Sequence, residues 1–186
     1  MGSIKKQRKK YSTPLHPWQA TRIEEEKKIF NDYGLKNKKE IWRIDSLLRK
    51  FRSQAKKLIA SRTEQSRKEE KLLIEKLFRL GLLNKDSRLD DILGLNIKAL
   101  LERRLQTLVY RKDLARTMDQ SRQFIIHGHV LVDNKKISVP SYLVKKEEEN
   151  KLSFISNSSL FNPEHPERIR EEKLAKEKPN ESATTI

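Results

Sequence analysis

The chain has 186 residues, no cysteine and a formal net charge of +16, with 35% hydrophobic and 37% charged residues. Disulfide frameworks and thiolate metal sites are excluded, and the length suits one compact domain or two small ones. The modest apolar content predicts a thin core, with much of the surface solvated or covered by a partner. A basic excess of this size favours a polyanionic partner, because each neutralised phosphate releases counterions. No apolar run is long enough for a membrane-spanning helix, and the charged start MGSIKKQRKK is not expected to be a secretory signal.

The charge is distributed unevenly along the chain. Residues 1–60 hold 17 Lys and Arg against 6 Asp and Glu, and residues 98–146 hold 11 against 4. Residues 61–97 are nearly neutral, and residues 147–186 are slightly acidic. A charge run is usually a solvated face, but two separate excesses in one short chain favour an anionic partner.

The first residues, KKQRKK (5–10), have no apolar partner and predict an extended basic arm that becomes ordered on an anionic surface. TPLHPW (13–18) contains two prolines and predicts irregular structure. Trp18 and Trp42 are expected to be packing residues. A short helix is predicted from Arg22 to Tyr33, ending at Gly34.

The stretch 41–62 predicts a long amphipathic helix. Its apolar residues follow helical spacing at Ile41, Ile44, Leu48, Phe51, Ala55 and Ile59. Basic residues occupy the other faces, including Arg43, Arg49, Lys50 and Arg52. A second helix is predicted over 66–80 with Gly81 as its C-terminal cap, and a short helix or turn over 86–96.

A third helix is predicted over 97–109. Its helical projection places Leu101, Leu105, Leu108 and Val109 on one side, and Arg103, Arg104, Thr107 and Arg111 on the opposite side. A further helix begins at Thr117, whose hydroxyl would form a capping box with Gln120, and it ends at Gly128.

The pattern then changes to β-branched alternation. His129–Val132 predicts a strand, 133–136 a turn, and Ile137–Val139 the returning strand that Pro140 ends. Leu152–Ile155 could add a third strand. The tail from 166 onward is charged, and its last residues predict disorder.

The ordered pieces RRLQTLVYR, SRQFI, HGHVLVD and VPSYLV within residues 101–144 closely resemble the RNA-binding module of the ribosomal protein S-four family. QRKKYSTPLHPW and GLKNKKEIWR are similar to the archaeal and eukaryotic branch of that family. The resemblance covers about residues 1–165. This chain departs from many relatives at Asn134, where they have Gly, and it lacks the cysteine zinc site of some bacterial relatives.

The resemblance implies a structural protein of the small ribosomal subunit that is not an enzyme and has no cofactor. It implies a primary binder of 5′-domain small-subunit ribosomal RNA, located in the cytoplasm near the messenger-RNA entrance, that nucleates assembly of the subunit body and contributes to translational accuracy. A neighbouring small-subunit protein, ribosomal protein S-five, is implied as a partner by the family alone. Neither a membrane nor a second copy of the chain is expected as a partner.

The candidate RNA-binding residues are chosen for charge, for hydrogen-bonding capacity and for their place in the matching segments. They are Lys5, Lys6, Arg8, Lys9, Lys10, Arg43, Arg49, Lys50, Arg52, Arg103, Arg104, Arg111, Lys112, Arg116, Ser121, Arg122, Gln123, His127, His129, Lys135 and Lys136. Ser121 could donate to RNA or simply pack. His127 and His129 could contact RNA or be structural, and a metal site at H-x-H is disfavoured because only His16 and His165 could complete it.

The predicted fold is α+β, with a mostly helical N-terminal part and a small helix–turn–β-hairpin module that carries a short sheet. The predicted domains are a basic arm (1–20), a helical RNA-binding domain (21–100), the S-four-type module (101–165) and a charged tail (166–186). The principal alternative is a ribosome-assembly factor that uses the same module on precursor RNA. An RNA-modifying enzyme and a basic membrane-surface protein are weaker alternatives, because no catalytic motif and no broad apolar helix face occur.

Overall fold

The computed structural model describes residues 9–61, 63–162 and 165–167, and it divides the chain into two units, Met1–Arg103 and Arg104–Ile186. Within the described residues the chain is mostly helical with one three-stranded antiparallel sheet, which confirms the predicted fold class. In the same ranges no helix combines the length and the apolar content that crossing a bilayer requires.

The helices of the first unit are organised around the longest one, α2. They are α1 (Ala20–Asp32), α2 (Lys38–Ala60), α3 (Glu64–Arg79), α4 (Leu89–Gly94) and α5 (Ile97–Glu102). Helix α2 packs against each of the other four. Its predicted apolar stripe is buried from Ile41 to Ala55, whereas Ile59, in the last turn, is 47% exposed.

Local signals set the ends of these helices. The side chains of Asn37 and Thr63 accept hydrogen bonds from backbone N–H groups in the first turns of α2 and α3. Helix α3 ends in a Schellman motif, in which Gly81 N–H donates to Phe78 O and Leu82 N–H donates to Leu77 O. Gly81 therefore lies just past the helix end, as the sequence predicts.

The prediction of one continuous helix over 97–109 is wrong, because two helices occupy this stretch. Helix α5 ends at Glu102, and α6 (Leu105–Arg111) begins after Arg104. Arg104 has extended backbone (ψ 139°) and forms an antiparallel bridge with Leu143, and Leu105 N–H donates to Tyr142 O at 2.8 Å. A long-range backbone pairing therefore interrupts a sequence whose helical periodicity continues.

The second unit contains α6, α7 (Met118–Ile126), β1 (Val130–Val132), β2 (Lys135–Lys136), α8 (Lys146–Glu149), β3 (Leu152–Phe154) and a 3₁₀ helix (Ser159–Phe161). The sheet order is β2-β1-β3, with Val130 opposite Phe154. One core joins α6, α7 and the sheet through Leu105, Val109, Phe124, Ile125, Val130, Val132, Val144, Phe154 and Leu160.

The hairpin between β1 and β2 is tighter than predicted. Leu131 pairs with Lys136 and Val132 with Lys135, so the turn consists of Asp133 and Asn134 alone. Both turn residues have positive φ, 49° and 62°, as a type I′ turn requires. Lys135 and Lys136 are thus in the returning strand, and the prediction of a strand over Ile137–Val139 is wrong.

Candidate nucleic-acid interface

A buried glutamine connects two arginines of the second unit. The side-chain oxygen of Gln106, on α6, accepts hydrogen bonds from Arg104 and from Arg122, each at 3.4 Å. The Gln106 amide donates in turn to Met118 O at 3.0 Å, at the start of α7. Gln106 is fully buried, so its amide fixes the position of both guanidinium groups and of the helix start.

Arg104 does not lie where the helical projection predicts. Arg104 is 1% exposed and Thr107 is fully buried, although both were expected on a cationic outer face. The reason is the helix break, because Arg104 precedes α6 in extended backbone and its guanidinium group points to Gln106. Arg122 is half-buried, and it therefore offers more of its surface to a partner than Arg104 does.

Thr117 caps the start of α7 as predicted, but the Gln120 side chain accepts from a different backbone N–H than a capping box requires. Thr117 Oγ1 accepts from Gln120 N–H at 3.1 Å, while Gln120 Oε1 accepts from Arg116 N–H, one residue before the expected partner. Ser121 is fully buried and its hydroxyl donates to Thr117 O at 3.0 Å. Of the two readings left open for Ser121, the structure therefore supports packing, whereas Gln123 is exposed.

The end of α7 places several candidates close together. Gly128, with φ +73°, closes a Schellman motif in which Gly128 N–H donates to Ile125 O and His129 N–H donates to Phe124 O. The Lys136 side chain lies against Gly128, so closely that a Cβ there would be 2.1 Å from Lys136 Cε. The side chain of a hairpin lysine therefore lies beside the end of α7.

The two histidines have different surroundings. His127 is exposed, whereas His129 is half-buried, with its ring edge-on to Phe124 and its Nδ1 2.9 Å from Ser158 Oγ. His129 is therefore positioned by packing and a hydrogen bond, and His127 is the one open to a partner. Among the residues that the structure describes, no group of three His, Asp or Glu side chains could hold a metal ion.

The remaining cations of the second unit differ in exposure. Arg111, Arg116 and Lys135 are exposed. Lys112 is half-buried, and its ammonium donates to the backbone carbonyl of Glu149. Lys112 therefore holds the end of α8 in addition to carrying charge.

The acidic groups near the hairpin are matched by cations. Asp133 accepts a hydrogen bond from Lys151 at 2.7 Å, and this bond and the lysine charge lower the pKa of Asp133. Glu148 accepts from the Tyr142 hydroxyl at 2.9 Å and from Lys145 N–H at 3.1 Å. Burial acts to raise the pKa of Glu148, but those bonds and the Lys145 charge outweigh it, so the pKa is lowered.

The first unit contributes a basic stripe on α2. Arg43 and Lys50 are exposed and seven residues apart, which places them within about 20° of each other on the helix. Arg49 is exposed and pairs with Asp45 at 2.5 Å, and the half-buried Arg52 donates to Leu95 O. Arg52 is therefore also a structural link from α2 to the segment after α4.

Of the other candidates in the first unit, some lie within the described residues and some lie outside them. Arg103 is half-buried and lies against Gly81, while Lys9 and Lys10 are exposed. Lys5, Lys6 and Arg8 lie outside the described residues, as does the tail beyond 167.

Comparison with known proteins identifies both units. Residues 2–102 match the ribosomal protein S4/S9 N-terminal domain, and residues 103–150 match the S4 domain. A small ribosomal subunit protein uS4 from Methanococcus aeolicus is 52% identical over 169 residues, which cover 90% of this chain and 96% of that protein. The same-named protein of Nanoarchaeum equitans is 48% identical over 90% of this chain, and that of Picrophilus torridus is 47% identical over 97%.

The chain belongs to the uS4 family. This confirms the resemblance read from the sequence, and the uS4 family is one of structural, RNA-binding ribosomal proteins and not of enzymes. The boundary between the two matched domains, at 102/103, lies within one residue of the boundary between the two structural units.

Gln106 is a residue of this candidate interface that sequence reasoning missed. Gln106 is the second residue of α6, and from the sequence alone a polar residue there is expected to be exposed to solvent. Its place in RRLQTLVYR, two residues after Arg104, is the signal that could have found it. Its full burial is decided by the helix break and is visible only in three dimensions.

Proposed function

We propose that this chain is a structural constituent of the small ribosomal subunit in the cytoplasm and a primary binder of the 5′ domain of small-subunit ribosomal RNA. In this role it nucleates assembly of the subunit body and contributes to translational accuracy near the messenger-RNA entrance. Ribosomal protein S-five is its proposed protein neighbour. Membership of the uS4 family supports the subunit and the RNA partner, and the finer assignments extend the resemblance stated from the sequence.

The observation that carries the proposal is the placement of Arg122 in the S4 domain. The half-buried Arg122 donates to the buried side-chain oxygen of Gln106, and the exposed Lys136 side chain lies beside Gly128, at the end of the same helix α7. Folded RNA is recognised largely by shape, phosphates and ribose hydroxyls, and fixed cations suit that mode of recognition. Arg111, Arg116, Gln123, His127 and Lys135 are exposed in the same unit and are proposed as further RNA contacts.

The stripe of Arg43 and Lys50 on α2 is a second proposed contact for RNA. Each unit carries basic residues of its own, so an extended RNA fold could contact both. The exposed Lys9 and Lys10 continue the basic character toward the N-terminus, as do Lys5, Lys6 and Arg8 in the sequence.

The deciding experiment is crosslinking in cells, followed by sequencing of the RNA attached to this chain. Crosslinks concentrated in the 5′ domain of mature small-subunit ribosomal RNA are expected. Crosslinks mainly to precursor spacer or small nucleolar RNA would instead assign the chain to ribosome assembly. A companion assay mixes the purified chain with a 5′-domain RNA fragment and no other protein, because a primary binder needs no partner to bind.

A further inference from the structure

Residues 13–18, TPLHPW, carry the two most exposed large apolar side chains in the described part of the chain. Leu15 is 89% exposed and Trp18 is 90% exposed. The expectation that Trp18 is a packing residue is therefore wrong, whereas Trp42 is half-buried and packs against Tyr11 at a ring distance of 6.2 Å. Single exposed apolar residues are ordinary, but a leucine and a tryptophan in one short loop indicate a contact surface.

Both ends of this loop are held in place. Just before it, Ser12 N–H donates to Ser46 Oγ on α2 at 2.9 Å. At its far end, the Arg22 guanidinium donates to His16 O at 3.0 Å and to Pro17 O at 2.8 Å. The two prolines restrict the backbone between these points.

The arginine that holds the loop is itself anchored by a buried carboxylate. Glu26 is 7% exposed, and its Oε1 accepts from Arg22 Nη1 at 2.5 Å and from Trp42 Nε1 at 3.1 Å. A buried ion pair contributes little net stability, and its better-supported use is to fix one conformation. Here the fixed conformation is a loop that presents Leu15 and Trp18 to solvent.

We propose that Trp18 is a stacking platform for an unpaired nucleobase of the RNA that this chain binds, with Leu15 in apolar contact with the same nucleotide. The inference rests on the proposed function and adds a specific RNA contact to it. Lys9 and Lys10 precede the loop and are exposed, Arg22 is paired with Glu26, and the first carboxylate after these lysines is Glu24, in α1. An exposed indole on a segment that also carries two exposed lysines matches a nucleotide, which offers a π-face and a phosphate together.

The charge pattern decides between RNA and protein as the occupant. An apolar pocket on another protein could receive the tryptophan, but it would gain nothing from the exposed Lys9 and Lys10 on the same segment of the chain. RNA uses both features, because each base stacks and each phosphate attracts a cation. Stacking also tolerates any base, so the contact adds affinity without a sequence requirement.

The first test measures the affinity of the full chain for a 5′-domain fragment of small-subunit ribosomal RNA. Trp18→Ala is expected to weaken binding about tenfold, the usual order for losing one stacked base, and Trp18→Phe to retain most of it. Leu72→Ala is the control, since Leu72 is a 64% exposed apolar residue on α3, and it should bind like the parent chain. Equal affinity of Trp18→Ala and the parent would overturn the inference and leave the proposed function intact.

The second test identifies the occupant directly. A photoreactive phenylalanine derivative is placed at position 18 of the full chain and irradiated in assembled small subunits. An adduct to a ribosomal RNA nucleotide supports the inference, and an adduct only to another protein overturns it. If the parent chain itself fails to bind the RNA fragment, the proposed function fails, which separates that result from the failure of Trp18 alone.

Discussion

The guanidinium group of Arg122, on α7, donates to the side-chain oxygen of Gln106, on α6, over 3.4 Å. The two residues are 16 positions apart, and Arg104 donates to the same oxygen. The two helices of the S4 domain are thus joined by a polar contact as well as by their shared apolar core. That contact also orients the half-buried Arg122, which is proposed to meet RNA.

Replacing Gln106 by leucine should affect both folding and RNA affinity. The change keeps the volume but removes a buried acceptor, so we expect the free energy of unfolding to fall by about 1–3 kcal/mol. Affinity for the 5′-domain fragment should fall with it, because Arg122 loses its positioning partner. Chemical denaturation and filter binding measure the two effects. Gln65→Leu, at an exposed glutamine of α3, should change stability by less than about 0.5 kcal/mol.

Arg122→Ala should weaken RNA binding while leaving the circular-dichroism spectrum unchanged. Removing one phosphate contact should lower affinity and reduce the salt slope of binding by about one. Binding titrations across a range of salt concentrations measure this. Arg67→Ala removes an exposed arginine of α3 that is not proposed to meet RNA, and it serves as the charge-matched control. An unchanged affinity and slope for Arg122→Ala would remove this residue from the interface.

Arg104→Glu should act first on stability. Arg104 is 1% exposed and donates to Gln106, so a carboxylate there would be buried beside an acceptor. We expect a loss of about 3–5 kcal/mol, enough to unfold a marginal domain. Thermal unfolding followed by circular dichroism measures it, with Arg116→Glu at an exposed position as the matched change. A native unfolding midpoint for Arg104→Glu would contradict the buried placement.

Gly128→Ala should destabilise the second unit. Gly128 has φ +73°, a backbone conformation that strains any L side chain, so the cost should be about 1–3 kcal/mol, and the flexible end of Lys136 must also move away from the added Cβ. Gly94→Ala is the control, because Gly94 lies in α4 with nothing within 4 Å of the added atom, and it should be neutral or slightly stabilising. The double variant Gly128→Ala with Lys136→Ala should regain only the stability that was lost to the contact with the Lys136 side chain. Equal stability of the two glycine variants would contradict this account.

Tyr142→Phe should raise the pKa of Glu148 toward its ordinary value of 4.5, because the carboxylate loses the hydroxyl that favours its charged form. A pKa lowered by folding means that protonation favours the unfolded chain. The stabilising effect is therefore present above about pH 4.5 and is lost as the pH falls through the lower folded value. An NMR titration of the Glu148 carboxyl measures the pKa. Tyr33→Phe, which removes a donor to Glu102 in the other unit, should leave that titration unchanged.

Local sequence signals predicted much of the fold. The 3.6-residue periodicity of α2, the Thr117 cap and Gly128 each act over a few residues, so they appear in the sequence as directly as in the structure. Asn134, which stands where many relatives have Gly, adopts φ 62° in the turn, a left-handed conformation that asparagine tolerates better than most residues. The turn length was missed, because the lysines of β2 have no apolar alternation to mark them as strand.

The amino-acid sequence by itself determined the charge, the helical periods and the ordered motifs that identify the uS4 family. Tertiary structure alone decided which polar groups are buried and which apolar groups are exposed. Arg104 is buried because its backbone pairs with Leu143, 39 positions away, and Trp18 is exposed because Arg22 and Glu26 hold its loop. The burial of Arg104 depends on a contact between segments distant in sequence, and the exposure of Trp18 depends on side-chain hydrogen bonds. Neither periodicity nor composition encodes such contacts.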